Sequence, residues 1–282
     1  MKTSFVLTVL VENTASGRGL LGEHGLSYLI EAGESRILFD TGQGLVLQHN
    51  AKQLGINLQN LDAVVLSHGH YDHAGGLIKV LEECNYTQLF LHPSALQPKF
   101  SNRGEIGSPI QDKELLTQKF RQLIWTDQPT EIIPGVFVTG TIPRVNSWED
   151  TGGNFWQDSQ HNQVDLILDD QALFIDAPEG LVVILGCAHA GVINTLNYIT
   201  KLTGKEKVYA VIGGMHLLNA SRERLQATAE TLTQYQVQII GANHCTGMKA
   251  IAFLWHQFVG RCVGCQVGTR LEFGIFDTLQ SS

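Results

Sequence analysis

The sequence predicts an α/β layered fold whose chemically active residues gather at the ends of strands. Three observations predict it. Short runs rich in Val, Ile, Leu and Phe, of strand length, recur along the 282 residues. In the C-terminal half the order strand, small-residue loop, helix occurs three times, at 181–202, 208–235 and 237–258. Histidine, cysteine and aspartate stand directly after these strands, where groups from neighbouring strands converge.

The elements follow in order. Strands are predicted at 5–11, 26–31 and 35–39, the last ending in Asp40-Thr41-Gly42. The first apolar run has a single basic residue before it and meets Glu12-Asn13 without a small-residue cleavage site, so it reads as a strand rather than a leader. A helix at 45–54 is stopped by Gly55. A strand at 61–66 runs into Ser67-His68-Gly69-His70-Tyr71-Asp72-His73, followed by a helix at 77–83 and a strand at 88–91. From 93 to 134 the pattern weakens, and Pro, Gly, Ser and Asn cluster at 99–109, as in an inserted loop or lid. A strand is expected at 135–141. The stretch 143–163 is irregular yet carries Trp148, Phe155 and Trp156, so it is expected to pack over something. Strands at 164–168, 172–176 and 181–185 follow, the last of them opening the first of the three strand–loop–helix units. No internal repeat is visible, and the chain reads as one domain, 1–282.

Composition narrows the function. At 43% hydrophobic the chain can bury a full core. Nineteen basic against twenty-seven acidic residues, a formal charge of −8, give nucleic-acid binding no electrostatic support. No stretch has the length of a membrane span. Five scattered cysteines, an odd number, argue against a disulfide framework, so a reducing, cytoplasmic setting is expected. A small anionic substrate would need local positive charge, which bound cations supply.

The cluster after the strand at 61–66 is the strongest signal. His68, His70, Asp72 and His73 offer imidazole nitrogen and carboxylate oxygen, ligand types suited to zinc, manganese or iron. His68-x-His70 cannot share one helix face, whose neighbours are three or four apart. In a turning loop these two face one point and Asp72 with His73 a second, which predicts two adjacent cations. His189, in Gly186-Cys187-Ala188-His189, and His244, in Gly241-Ala242-Asn243-His244-Cys245, read as distant ligands among small neighbours. His216 reads as a supporting or substrate-contacting group. Cys187 is either an extra ligand or a small buried residue. Asp40 either holds the histidine loop by hydrogen bonds or makes an Asx turn. His24, before a strand, is placed to face the cleft; His92 reads as structural, and His49, His161 and His256 as surface or packing residues. Cys262-x-x-Cys265 is half of a zinc-ribbon pattern.

These residues resemble the metallo-β-lactamase superfamily: a strand ending in Asp40-Thr41-Gly42, then His68-x-His70-x-Asp72-His73, then strand-end ligands. A narrower resemblance rests on Val11-Glu12-Asn13-Thr14, Glu23-His24-Gly25-Leu26-Ser27, the stretch 66–73, Ile184 to Gly191, Val211 to Leu217 and His244-Cys245-Thr246-Gly247. It is to the subgroup named 7,8-dihydropterin-6-methyl-4-(β-D-ribofuranosyl)aminobenzene-5′-phosphate synthase. The resemblance implies an αββα sandwich with a two-metal site along one edge of its paired sheets. Two departures stand out: no histidine follows the middle strand in Val138 to Arg144, and the expected bridging aspartate is replaced by Gly186-Cys187-Ala188-His189. The implied ligands are then His68, His70 and His189 for one cation, and Asp72, His73 and His244 for the other.

Three functions remain open at this point. As a transferase, the chain would join a dihydropterin diphosphate to an aryl-ribose phosphate, with one or two divalent ions, zinc foremost, on the diphosphate. Asp72, His24 and Arg144 would then act on the substrate, Arg144 by gripping phosphate oxygens, and Trp148, Phe155 or Trp156 would stack on the pterin. As a hydrolase, it would open phosphodiester, lactone or thioester bonds with the same ligands. As a non-catalytic protein, it would only bind metal.

Overall fold

In the computed structural model, which describes residues 2–84 and 87–277, β1 (Lys2–Val11), β2 (Ser27–Ala32) and β3 (Ser35–Phe39) form an antiparallel meander. Helix α1 (Leu47–Gln53) leads to β4 (Ala63–Val65). The short α2 (Tyr71–Ala74) and α3 (Leu77–Glu83) lead to β5 (Gln88–Leu91). A hairpin, β6 (Phe100–Ser101) and β7 (Gly104–Glu105), and α4 (Lys113–Lys119) precede β8 (Gln122–Trp125). Strands β3, β4, β5 and β8 pair in parallel, each crossover carrying a helix because parallel neighbours cannot be joined by a tight turn.

The second half repeats this plan. Strands β9 (Thr130–Ile133), β10 (Val136–Val138), β11 (Ala172–Ala177) and β12 (Gly180–Leu185) pair antiparallel. Helix α5 (Val192–Thr203), β13 (Val208–Gly214), α6 (Arg222–Gln234) and β14 (Ile239–Asn243) then add two parallel strands to β12. After α7 (Met248–Gln257), β15 (Arg270–Asp277) pairs antiparallel with β1. The two sheets run β15-β1-β2-β3-β4-β5-β8 and β14-β13-β12-β11-β10-β9.

Strand periodicity builds four layers. On β12, Val182 and Ile184 enter the core between the sheets with Phe5, Val9, Tyr28 and Phe39. Leu181, Val183 and Leu185 face the other way, against Leu196, Ile199 and Leu232 of the helices. Leu10, Leu38 and Val64 likewise meet Leu47, Leu77 and Leu116 on the outside of the first sheet. The architecture is the αββα sandwich that the resemblance implied. The parallel strands of both sheets end at one rim, which therefore receives Asp40, Ser67, Gly186, Met215 and His244 from five separate elements. No helix among the described residues is long and apolar enough to cross a membrane.

One predicted element is absent. The run 164–168 forms no strand: Val164, Leu166 and Leu168 are 62%, 55% and 50% exposed, while Asp165 and Asp169 are buried. The reason is a buried cation. Lys99 Nζ lies 2.9 Å from Asp165 Oδ2 and 2.8 Å from Asp169 Oδ1, and Asp169 Oδ2 accepts the Gly69 amide at 2.7 Å. The two carboxylates must face inward, so the apolar residues between them face out. Residues 93–134 contribute β8 to one sheet and β9 to the other, and their hairpin lies beside the histidine loop, where the Tyr71 amide donates to the Ile106 carbonyl at 2.8 Å.

Lys99→Met keeps the aliphatic stem and strands two buried carboxylates. A loss of about 3–5 kcal/mol is expected in urea unfolding at neutral pH. Burial favours the neutral acid of Asp169, but Lys99 and the Gly69 amide outweigh it and hold its pKa below the ordinary value. Its contribution is therefore present above about pH 4 and lost as pH falls through the folded value. The Lys99 pKa is raised by the same carboxylates against burial, so its contribution fails only in strong alkali. The deficit of the variant should be largest at neutral and alkaline pH and shrink as the solution is acidified, because desolvation raises the pKa of an Asp169 carboxylate that has lost its cation. An unchanged unfolding midpoint at pH 7 would show that the triad holds nothing.

Candidate metal centre

Asp40 organises the rim. It follows β3 with a left-handed backbone, φ 60°, which turns its carboxylate back toward the end of β4. Oδ1 accepts the Ser67 amide at 2.7 Å; Oδ2 accepts the Ser67 hydroxyl at 2.7 Å and lies 2.6 Å from His73 Nδ1. The Ser67 hydroxyl, its proton given to Asp40, accepts from His68 Nδ1 at 2.9 Å. Both rings thus carry their proton on Nδ1, a tautomer that follows from the hydrogen-bond network. Asp40 is fully buried, with both carboxylate oxygens bonded to residues of the histidine loop.

The same device fixes two distant rings. His189 Nδ1 donates to the Thr151 carbonyl at 2.7 Å, and His244 Nδ1 lies 3.1 Å from Asn13 Oδ1. His68, His73, His189 and His244 consequently turn their Nε2 atoms inward. His68 Nε2 is 3.0 Å from His70 Nδ1, and His73 Nε2 is 3.1 Å from both His244 Nε2 and Cys187 Sγ. Asp72 Oδ2, on α2, lies 3.4 Å from His244 Nε2 and 3.8 Å from His73 Nε2. Lone pairs facing at such distances repel unless a proton or cation lies between them. His189 Nε2 is moreover buried without a hydrogen-bond partner.

Protonation agrees with that chemistry. Burial and the neighbouring imidazoles push His68 and His189 well below the ordinary histidine value. Burial, aided by Lys99, lowers His70 to about 3. Burial would raise Asp72, but His73 and His244 hold its carboxyl well below the usual range. His73 is the exception, raised to about 9 because Asp40 and Asp72 outweigh its burial, so without an ion it carries both ring protons and must release one to bind a cation. Neutral imidazoles and an ionised carboxylate are the states in which these groups bind cations.

Donor atoms of His68, Cys187 and His189 lie within 4.8 Å of one another, as do those of His73, Cys187 and His244 and those of His24, Asp72 and His244. The donor set fits one or two divalent ions. The structure thus brings together His68, His70, Asp72, His73, His189, His244 and Cys187. His24 stands at the mouth, its Nε2 3.3 Å from Asp72 Oδ2 and its ring 5.2 Å from that of His244. The His216 ring lies 4.3 Å from that of His189, tilted by 44°. Arg144 lies outside the cluster, with Nη2 donating to the Ile167 carbonyl at 3.3 Å.

The irregular stretch 143–163 packs over this site, as its aromatics suggested. Phe155 sits 5.2 Å from His70 and 5.4 Å from His189. Gly152 presses so closely on His216 that a Cβ there would stand 1.7 Å from its Cδ2. Trp148 is exposed, and Trp156 stacks on His161 at 4.0 Å. Glu12, Asn13, Ser67 and Cys245 had no site role in the sequence reading. Glu12 Oε1 accepts the His244 backbone amide at 2.9 Å, so the two residues that follow β1 hold His244 by its backbone and by its ring. The signal available for them was the abrupt polar pair Glu12-Asn13 closing an apolar run.

Residues 21–142 match the family model described as the metallo-beta-lactamase superfamily. A protein of Methanocaldococcus jannaschii, named 7,8-dihydropterin-6-methyl-4-(beta-D-ribofuranosyl)-aminobenzene-5′-phosphate synthase, is 33% identical over 84% of this chain and 85% of its own length. The crystal structure of Tm1679, described as a metal-dependent hydrolase of the β-lactamase superfamily, superposes with a TM-score of 0.83 at 31% identity, covering 96% of this chain and 99% of that one. YhfI of Bacillus subtilis, with a TM-score of 0.59 at 15% identity over 96% and 100% of the two chains, shares the fold. By sequence and by architecture, the chain belongs to the metallo-β-lactamase superfamily.

Proposed function

We propose that the chain is a metal-dependent transferase that joins a hydroxymethyl-dihydropterin diphosphate to an aryl-ribose phosphate. The observation that carries this reading is the 33% identity, over most of both chains, to a protein named as the corresponding synthase. The rim fits the chemistry, since its neutral imidazoles and single ionised carboxylate leave bound cations with net positive charge for an anionic substrate. His68, His70 and His189 would hold one ion, and Asp72, His73 and His244 a second, with zinc foremost and manganese or iron as the other candidates. When bound, such ions supply Lewis-acid stabilisation of the leaving diphosphate.

The protein's own groups do the remainder. The aniline nitrogen forms a bond to the pterin methylene carbon as the carbon–oxygen bond to diphosphate breaks. The proton lost by that nitrogen passes to Nδ1 of His24, which sits at the mouth with its Nε2 turned to Asp72 Oδ2. Arg144, anchored on the Ile167 carbonyl, supplies the guanidinium for the aryl-ribose phosphate. Phe155, packed on His70 and His189, keeps water from the reacting carbon.

The test is incubation of the metal-loaded protein with 6-hydroxymethyl-7,8-dihydropterin diphosphate and 4-(β-D-ribofuranosyl)aminobenzene 5′-phosphate. Equal amounts of coupled product and diphosphate are expected. The 31% identity to a structure described as a hydrolase supports a second reading, with water as nucleophile on the same ligands. No coupled product, together with brisk metal-dependent turnover of generic phosphodiesters or lactones, would replace the first reading by the second.

A further inference from the structure

The ends of three parallel strands place a second kind of donor set beside the imidazoles. Strand β12 ends at Leu185, β13 at Gly214 and β14 at Asn243, and Gly213 and Gly214 pair with neighbours on the adjoining strands. Two residues beyond each end stand Cys187, His216 and Cys245. Because the strands are in register, the three side chains meet. The two sulfurs and a ring nitrogen of His216 lie within 4.8 Å of one another.

Three further features single out this trio. Gly214 leaves the space: a Cβ there would stand 2.6 Å from Cys245 Sγ and 2.4 Å from the Gly186 carbonyl oxygen. His216 takes a left-handed backbone, φ 46°, although it is no glycine, and such strain persists where surrounding structure imposes it. Its Nδ1 is buried with no hydrogen-bond partner. The cysteines are not disulfide-bonded, and Cys245 Sγ donates to the Cys187 carbonyl at 3.5 Å. Cys187 also belongs to the groups of His68 with His189 and of His73 with His244, whereas Cys245 belongs to neither.

We propose that Cys187, His216 and Cys245 form a further cation site that takes a borderline-soft divalent ion such as zinc and shares the Cys187 sulfur with the histidine centre. Two thiolates and an imidazole select zinc or a similar ion over magnesium, calcium or manganese. Two thiolates also balance the charge of a divalent ion. Three protein donors leave a fourth position of a tetrahedral ion open, as in sites that exchange ligands with solvent or substrate. Binding releases the two thiol protons to solvent and needs no oxidant.

The experiment reads ion content and spectrum rather than turnover, so it stands whether or not coupled product is found. The full chain is loaded with zinc for elemental analysis and with cobalt for absorption. A thiolate-to-cobalt charge-transfer band is expected, and Cys245→Ser should lose one equivalent of ion and about half of that band. His216→Ala should lose the same equivalent, and His68→Ala/His70→Ala should keep the Cys245-dependent part of the band. Alkylation mapped by mass spectrometry gives a measure on the native chain, where zinc should protect Cys245 and a chelator expose it. If Cys245→Ser leaves ion content and band unchanged while Cys187→Ser abolishes the band, Cys187 serves the histidine centre alone and the proposal fails. A Cys187–Cys245 disulfide in freshly purified, zinc-loaded protein would equally overturn it.

Discussion

Replacing His68 and His70 together by alanine is expected to remove one equivalent of bound metal and to reduce turnover by at least about 10³-fold, the scale on which loss of a single electrostatic group in an active site is felt. The two rings face each other at 3.0 Å, His68 Nε2 to His70 Nδ1, and both are buried. Without a cation that contact is at most a single hydrogen bond between two rings that burial holds neutral. Their removal should therefore cost the metal-free protein little. What disappears is the stabilisation that a ligand confers by binding only the folded state, about 4 kcal/mol when its free concentration is a thousand times its dissociation constant. Thermal unfolding separates the two effects: added zinc should raise the melting temperature of the variant by clearly less than that of the parent chain. A variant that keeps its full metal complement, or one that melts far below the metal-free parent, would show that these rings serve the fold instead.

The sequence made the rim legible because each of its elements has a local signal. Strands at 35–39, 88–91 and 181–185 are short apolar runs, and His68 to His73, His189 and His244 follow strand ends directly, so their convergence follows from parallel pairing alone. The αββα arrangement required the resemblance, since no periodicity tells which face of β12 meets a helix and which meets the other sheet. Strands β8 and β15 lie at the two ends of one sheet, and β8 shows no clean alternation because all but its exposed first residue are half buried. The run 164–168 misled because its pattern is inverted by Lys99, sixty-odd positions earlier, and a charge pair that distant has no local mark. Ser67 and Asn13 escaped for a related reason. Each fixes a ring tautomer through one hydrogen bond, and serine or asparagine beside a strand is ordinary in any loop.

Asp40→Asn is the second substitution with a large expected effect, because the change is small in shape and large in hydrogen-bond logic. The carboxylate accepts from three donors: the Ser67 amide, the Ser67 hydroxyl and His73 Nδ1. An amide offers one oxygen and one NH₂. If the NH₂ faces Ser67, the backbone N–H there loses its buried acceptor, at about 1–3 kcal/mol. If it faces His73, the imidazole must give up its Nδ1 proton and keep the one on Nε2, which points at Cys187 and His244 and is then closed to a cation. The second outcome is expected to weaken the ion held by Asp72, His73 and His244 about 10- to 100-fold, the usual effect of losing a group that orients a metal-bound histidine. The ion held by His68, His70 and His189 should be weakened less, since Asp40 reaches His68 only through the Ser67 hydroxyl. Zinc titration should therefore show two classes of ion pulling apart in affinity, and nitrogen-15 spectra of the metal-free variant should show His73 protonated on Nε2. If both ions bind as tightly as in the parent chain and His73 keeps its proton on Nδ1, Asp40 is a turn residue and does not set the geometry of the rim.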